Sequence, residues 1–156
     1  MPILVDTGIL YALADVDDSW HLRARSWLEQ TSDMLLTPVT VLPEAAYLIR
    51  SRLGPLAEAR LLESLVRREL AIENLASSDL ERTAEVLDRY GDLGFVDATV
   101  VAMAERLGIS TIATTDRRHF SQVRPRPSVL RAGPRIGFSR LAGSWTTNGL
   151  LSGIDS

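Results

Sequence analysis

The 156-residue chain contains no cysteine. Disulfides, thiol nucleophiles and zinc-thiolate sites are therefore excluded, and the absence fits a reducing compartment. Lysine is missing as well, since all 17 positive residues are arginines. That excludes Schiff-base lysines, a P-loop and the lysine of phospho-aspartate receiver domains. No apolar run reaches the ~18 residues of a membrane helix, and the N-terminus lacks the basic region of a secretory signal. A soluble, cytoplasmic protein without a membrane partner is expected.

Hydrophobic residues make up 46% of the chain, enough for one buried core in one domain. Charge is unevenly spread. From residue 117 to 156 seven arginines stand against Asp155 alone, a balance of +6, so residues 1 to 116 carry −9 of the total −3. An acidic body with a basic end suggests cation binding in the first and polyanion binding in the second.

Short apolar runs alternate with helical periodicity. Strands are predicted at 3–5, 34–36, 70–75 and 110–116, with a last short one near Ser128 to Leu130. Helices are predicted at 8–14, from a cap at Asp18 or Ser19 through Trp20, Ala24, Trp27 and Leu28, from Thr37–Thr40 to Arg52, at 55–69, at 77–90 and at 95–107. Pro43 is tolerable only in a first turn, Pro55 opens its helix, and Gly108 ends the one before it. Ser77 or Ser78 with Glu81 behind it reads as a capping box. Strands separated by helices imply a parallel sheet with helices on both faces. The Gly-, Pro- and Ser-rich stretch after Arg131 reads as a loosely ordered tail, 132–156.

Four acids sit in unusual surroundings. Asp6 ends the first strand and Asp116 the fourth, so a parallel sheet aligns both along its carboxyl edge, where α/β sheets bind ligands. Glu44 follows Val41 and precedes Tyr47 and Leu48 at helical spacing, which predicts a core-facing carboxylate. Asp97 stands among Phe95, Val96, Ala98, Val100 and Val101 in a helix apolar on all sides. A lone ionised carboxylate there is costly unless paired, protonated or bound to metal. Capping or pairing with arginine would explain each acid singly; all four together describe a site for a hard divalent cation. Mg²⁺, with Mn²⁺ as substitute, takes oxygen ligands and keeps several waters, one of which can attack a phosphodiester. Arg117 and Arg118 directly follow Asp116 and are placed to meet substrate phosphate.

Other polar residues carry less. His21 is expected in solvent, and His119 is given no role beyond substrate contact. Trp20 and Trp27 read as helix core, Phe120 as core, Asp15, Asp17 and Asp18 as a helix exit, and Asp92 as structural. Leu42, Leu48, Ile49, Leu53, Leu61, Leu62, Leu65 and Val66 exceed what one small sheet face can cover, which predicts a homodimer through helices 41–53 and 56–68.

The segments VDTGILYAL, VLPEAAYLI, YGDLGFVDATVVAMAERLG and TIATTDRRHF, in this order, resemble the four motif regions of PIN-domain nucleases, especially the VapC-like toxins of bacterial toxin-antitoxin pairs. The resemblance covers residues 1–131. It implies a three-layer α/β/α sandwich around a mostly parallel sheet of four to five strands. It also implies a metal-dependent endoribonuclease restrained by a cognate antitoxin. The resemblance makes Asp6 and Asp97 the principal metal ligands, Glu44 and Asp116 ligands directly or through water, and Thr7 and Thr115 flanking polar positions. The tail beyond Arg131 is outside the pattern. Alternatives are an RNA-processing PIN nuclease without an antitoxin and a non-catalytic RNA- or partner-binding module. A haloacid-dehalogenase-like phosphatase would want an acid where Gly8 stands and a lysine that the chain lacks.

Overall fold

The computed structural model describes residues 1–124. The predicted strand at 128–130, the tail 132–156 and the boundary at 131 lie outside the described residues. Eleven elements follow in chain order: β1 (Ile3–Val5), α1 (Thr7–Ala14), α2 (His21–Gln30), β2 (Leu35–Pro38), α3 (Val41–Leu53), α4 (Pro55–Val66), β3 (Ala71–Glu73), α5 (Ser77–Arg89), α6 (Phe95–Leu107), β4 (Ile112–Ala113) and α7 (Arg117–Gln122).

The four strands form one sheet, ordered β3-β2-β1-β4, and every pairing is parallel. Leu4 pairs with Leu36 on one side and Ile112 on the other. The chain steps from β1 outward to β2 and β3, then returns past β1 to β4. Right-handed crossovers place α1–α4 on one face and α5–α6 on the other. The helix contacts divide the same way, with α1 touching α2 and α3, α3 touching α4, and α5 touching α6. The core is the layered result: Leu4, Val5 and Ile112 of the sheet are enclosed by Ile9, Val41 and Ala45 from α1 and α3 and by Val86, Val100, Val101 and Phe120 from the later helices. This is the three-layer architecture expected from the sequence.

Local chemistry moved several boundaries. Thr37 and Pro38 extend β2 instead of opening α3, and Thr37 is wholly buried with its hydroxyl toward the Val5 carbonyl. Pro43 does fall in the first turn of α3. The cap of α2 is Trp20 and not Asp18 or Ser19; Asp18 instead accepts from the Trp20 N–H at 2.8 Å, closing a turn before the helix. Neither Ser77 nor Ser78 caps α5: Ala76 takes the cap position, and Asp79 rather than Glu81 reaches back to the Ala76 N–H at 2.8 Å. The α7 turn was not foreseen, although Asp116 repeats the strand-acid-helix pattern of Asp6.

Candidate metal centre

The switch in strand order falls between β1 and β4, and a crevice opens beyond the carboxyl ends of strands at such a point. Asp6 and Asp116 stand there. The Asp6 N–H continues the β1–β4 ladder by donating to the Ala113 carbonyl at 3.2 Å. Its side chain then caps α1, Oδ1 accepting from the Ile9 N–H at 3.0 Å. Capping and site geometry are one arrangement: the strand fixes the backbone, the cap fixes the carboxylate. Gly8 is required beside it, because a Cβ there would collide with the Thr115 hydroxyl.

Asp6 is buried, at 7% exposure, and its partners are neutral: the Ile9 and Gly8 N–H groups and the Thr114 hydroxyl. Burial, with a smaller push from Asp97, raises its pKa to about 7, against which these hydrogen bonds work. Thr114, 2% exposed, also accepts from the Asp116 N–H at 2.9 Å, so one hydroxyl serves both strand-end acids.

Asp97 lies in the first turn of α6, where the helix dipole favours an anion. Unlike the residues from Ala98 to Ala104, which are buried, its side chain is 29% exposed. The middle of α6, Ala98 to Ala104, is thus sunk in the core, and its first and last turns reach solvent. Burial still raises the Asp97 pKa, opposed by His119 and reinforced by Glu44 and Asp116. Asp97 thus lies within electrostatic reach of each of the other three acids.

Glu44 departs from expectation. It is exposed, because the buried row of α3 is Val41, Ala45 and Ile49 at four-residue spacing, not Val41, Glu44 and Tyr47. The Thr7 hydroxyl donates to Glu44 Oε2 at 2.6 Å, tying α3 to the start of α1. Asp116 caps α7, Oδ1 accepting from the Arg118 and His119 N–H groups at 3.0 and 3.4 Å.

His119 is the residue that sequence reasoning undervalued. Its Nδ1 is 3.1 Å from Asp97 Oδ2 and 3.4 Å from Asp116 Oδ2, so the imidazole bridges acids from α6 and the β4–α7 junction. A histidine three residues after a capping Asp was the available signal, but its approach to Asp97 is tertiary. His21 was also misjudged: its ring Nδ1 meets the Ala12 carbonyl at 2.8 Å, half-buried between helices. Arg118 is exposed at the head of α7, and Thr115 is half-buried against Gly8.

No three His, Asp or Glu side chains among the described residues form a ready-made metal cage. The donors nevertheless fit a hard divalent ion. They are carboxylate oxygens to which no arginine among the described side chains is paired, and a Mg²⁺-like ion needs only one or two direct carboxylates, filling the remaining positions with water.

A parallel α/β/α sandwich with an acidic crevice at its switch point defines the class, and the chain belongs to the PIN domain family, whose model matches residues 3–124. Ribonuclease VapC26 of Mycobacterium tuberculosis is 32% identical over 125 residues, covering 79% of this chain and 93% of that protein. The crystal structure of VapC20 from the same species, described as a sarcin-ricin loop cleaving toxin, superimposes with a TM-score of 0.72 at 26% identity and covers 79% of this chain and 99% of that one. PAE2754 of Pyrobaculum aerophilum aligns with a TM-score of 0.53 at 25% identity over 79% of this chain and 85% of its own.

Proposed function

We propose that this chain is a divalent-metal-dependent endoribonuclease, Mg²⁺ being the working ion and Mn²⁺ a substitute, and that it is the toxin of a toxin-antitoxin pair. Kinship to VapC ribonucleases supports the class of activity. The observation that carries the chemistry is Asp6: a buried carboxylate with neutral hydrogen-bond partners, beside a second acid, at the sheet's switch point. Such a group is costly unless protonated or given a cation.

Asp6 and Asp97 hold the ion, with Glu44 and Asp116 acting directly or through water. When bound, the ion supplies an activated water for phosphodiester hydrolysis. The protein's own residues orient everything else. Thr7 fixes Glu44, Thr114 fixes Asp6 and the Asp116 backbone, and His119 braces the Asp97 carboxylate. Arg117 and Arg118, which open the arginine-rich C-terminal stretch of the sequence, supply positive charge for phosphates.

The test is cleavage of a mixed-sequence RNA in Mg²⁺, Mn²⁺ and EDTA. Cleavage that requires the ion and disappears in Asp97→Asn supports the reading; ion-independent cleavage, or none, contradicts it. A cognate antitoxin is the expected inhibitor, and a homodimer the expected assembly. Ile49 is buried within the protomer and contributes nothing to such an interface, but Tyr47, Leu56, Leu62 and Val66 on α3 and α4 are 56–83% exposed. A monomeric sedimentation profile at about 50 μM, ample for a modest interface, would remove the dimer.

A further inference from the structure

The buried stretch of α6 from Ala98 to Ala104 is apolar except at Thr99, which is wholly buried. Valine would fill that space with no polar atom to satisfy, as Val100 and Val101 do, so the hydroxyl itself needs a reason. Its single proton goes to the Val96 carbonyl at 2.6 Å. The other contact, 2.6 Å to the Thr40 hydroxyl, therefore has Thr40 as donor and Thr99 as acceptor.

Thr40 holds the cap position of α3, yet its hydroxyl makes no cap bond. A threonine there ordinarily accepts from a backbone N–H of its own helix. Here it turns to α6 instead, 59 residues away in sequence and in the opposite layer of the sandwich. Both ends of this run of hydroxyls stop beside site acids. The Val96 carbonyl belongs to the planar, rigid peptide unit that also carries the Asp97 N–H. Thr40 lies about one helical turn before Glu44, whose carboxylate accepts from the Thr7 hydroxyl at 2.6 Å. Glu44 in turn raises the Asp97 pKa, a like-charge repulsion that pushes the starts of α3 and α6 apart. The bond from Thr40 to Thr99 joins those two helix starts and opposes the push.

Resting on the reading of the crevice as the metal centre of a nuclease, we infer that the Thr40–Thr99 pair is a strut that sets the spacing of Glu44 and Asp97 for the divalent ion. Both threonines are positioning residues, acting through the two carboxylates and not on the ion themselves.

The experiment titrates Mn²⁺ calorimetrically into wild type, Thr40→Val, Thr99→Val, the double valine variant and Thr99→Ser, with thermal melts of each in EDTA. Valine keeps the volume and removes the hydrogen bond; serine keeps the bond and gives up a methyl group. The strut therefore predicts opposite rankings in the two measurements. Thr99→Val should weaken Mn²⁺ binding by about 10-fold or more, the range for outer-shell partners of a metal, with little change in melting temperature. Thr99→Ser should melt lower, because it leaves a small void in the core, and bind Mn²⁺ as the wild type does. Thr40→Val should match Thr99→Val, and the double variant should be no weaker than either, since the same bond is lost in all three. Unchanged Mn²⁺ affinity in both valine variants, losses that add in the double variant, or affinity that follows melting temperature across the set would each overturn the strut. A wild type that takes up no Mn²⁺ would remove the metal centre and the strut with it. If the wild type binds Mn²⁺ but cleaves no RNA, the nuclease reading fails while the threonine comparison still decides the strut.

Discussion

The two ends of α6 treat carboxylates in opposite ways. At its C-terminal end Arg106 clamps Asp79, its Nε lying 2.8 and 3.0 Å from the two oxygens, and also reaches Glu73. Arg82 of α5 makes a bidentate pair with Glu105. Hydrogen bonds to these acids raise the pKa of both guanidinium groups. At the N-terminal end Asp97 faces Glu44, Asp116 and Asp6, and the described side chains offer it only the His119 imidazole. The acids at one end already have their cations and tie β3, α5 and α6 together. Those at the other share a crevice that an added cation would neutralise. Burial alone does not separate them, since Asp79 is 1% exposed and Asp6 7%; the identity of the partner does.

The strongest way to break this comparison is to exchange charge for amide at each end. Asp6→Asn or Asp97→Asn is expected to reduce ion-dependent RNA cleavage by more than about 100-fold, beyond the usual effect of outer-shell partners, with the far-UV spectrum unchanged. Asp79→Ala should do the reverse. Stability falls by about 3 kcal/mol, the low end for breaking a buried pair because Arg106 keeps partial solvent contact, and cleavage at low temperature persists. Denaturant melts and cleavage assays on the same preparations check both. An inactive but fully stable Asp79→Ala would merge the two regions.

Next in size is the cost of the uncompensated charge. Asp6 holds its proton to about pH 7 when folded, against an ordinary value of 3.8. The metal-free folded state therefore binds the extra proton between those values, and its stability falls as pH rises through that window. Asp6→Asn removes the fall. It should stabilise the metal-free protein at pH 8 by about 2–4 kcal/mol, the upper figure being the full linkage limit, and leave it little changed at pH 4. Equal pH profiles for wild type and variant would mean that Asp6 is not buried as described.

The smallest expected effect is at Arg118, which is exposed and free to meet solvent-borne phosphate. Arg118→Ala should weaken RNA binding a few-fold and flatten the log-log salt slope by about 0.7, one phosphate contact on a single strand. An unaltered slope would send the substrate past another side of the crevice.

The sequence displayed the crevice acids more clearly than their environment. Asp6 and Asp116 were legible because an acid closing an apolar run is a local pattern, and the sheet order then aligns them. Asp97 was legible as a charge in an apolar helix, though its exposure at the first turn depends on where α6 enters the core. Glu44 was found for the wrong reason: both three- and four-residue rows leave Val41, and only packing against α1 and the sheet selects Ala45 and Ile49 as the buried one. Thr114 and His119 escaped because their partners come from other elements. The Asp79–Arg106 clamp, 27 residues apart, escaped for the same reason, so the sequence could not separate paired acids from open ones.

Titrating Mn²⁺ calorimetrically into the protein at pH 8 tests the central claim most directly. Saturable binding is expected in the wild type and in Glu105→Gln, and its loss in Asp97→Asn. Binding that survives Asp97→Asn undiminished, or a wild type that takes up no ion, would contradict the assignment of the crevice as the metal centre.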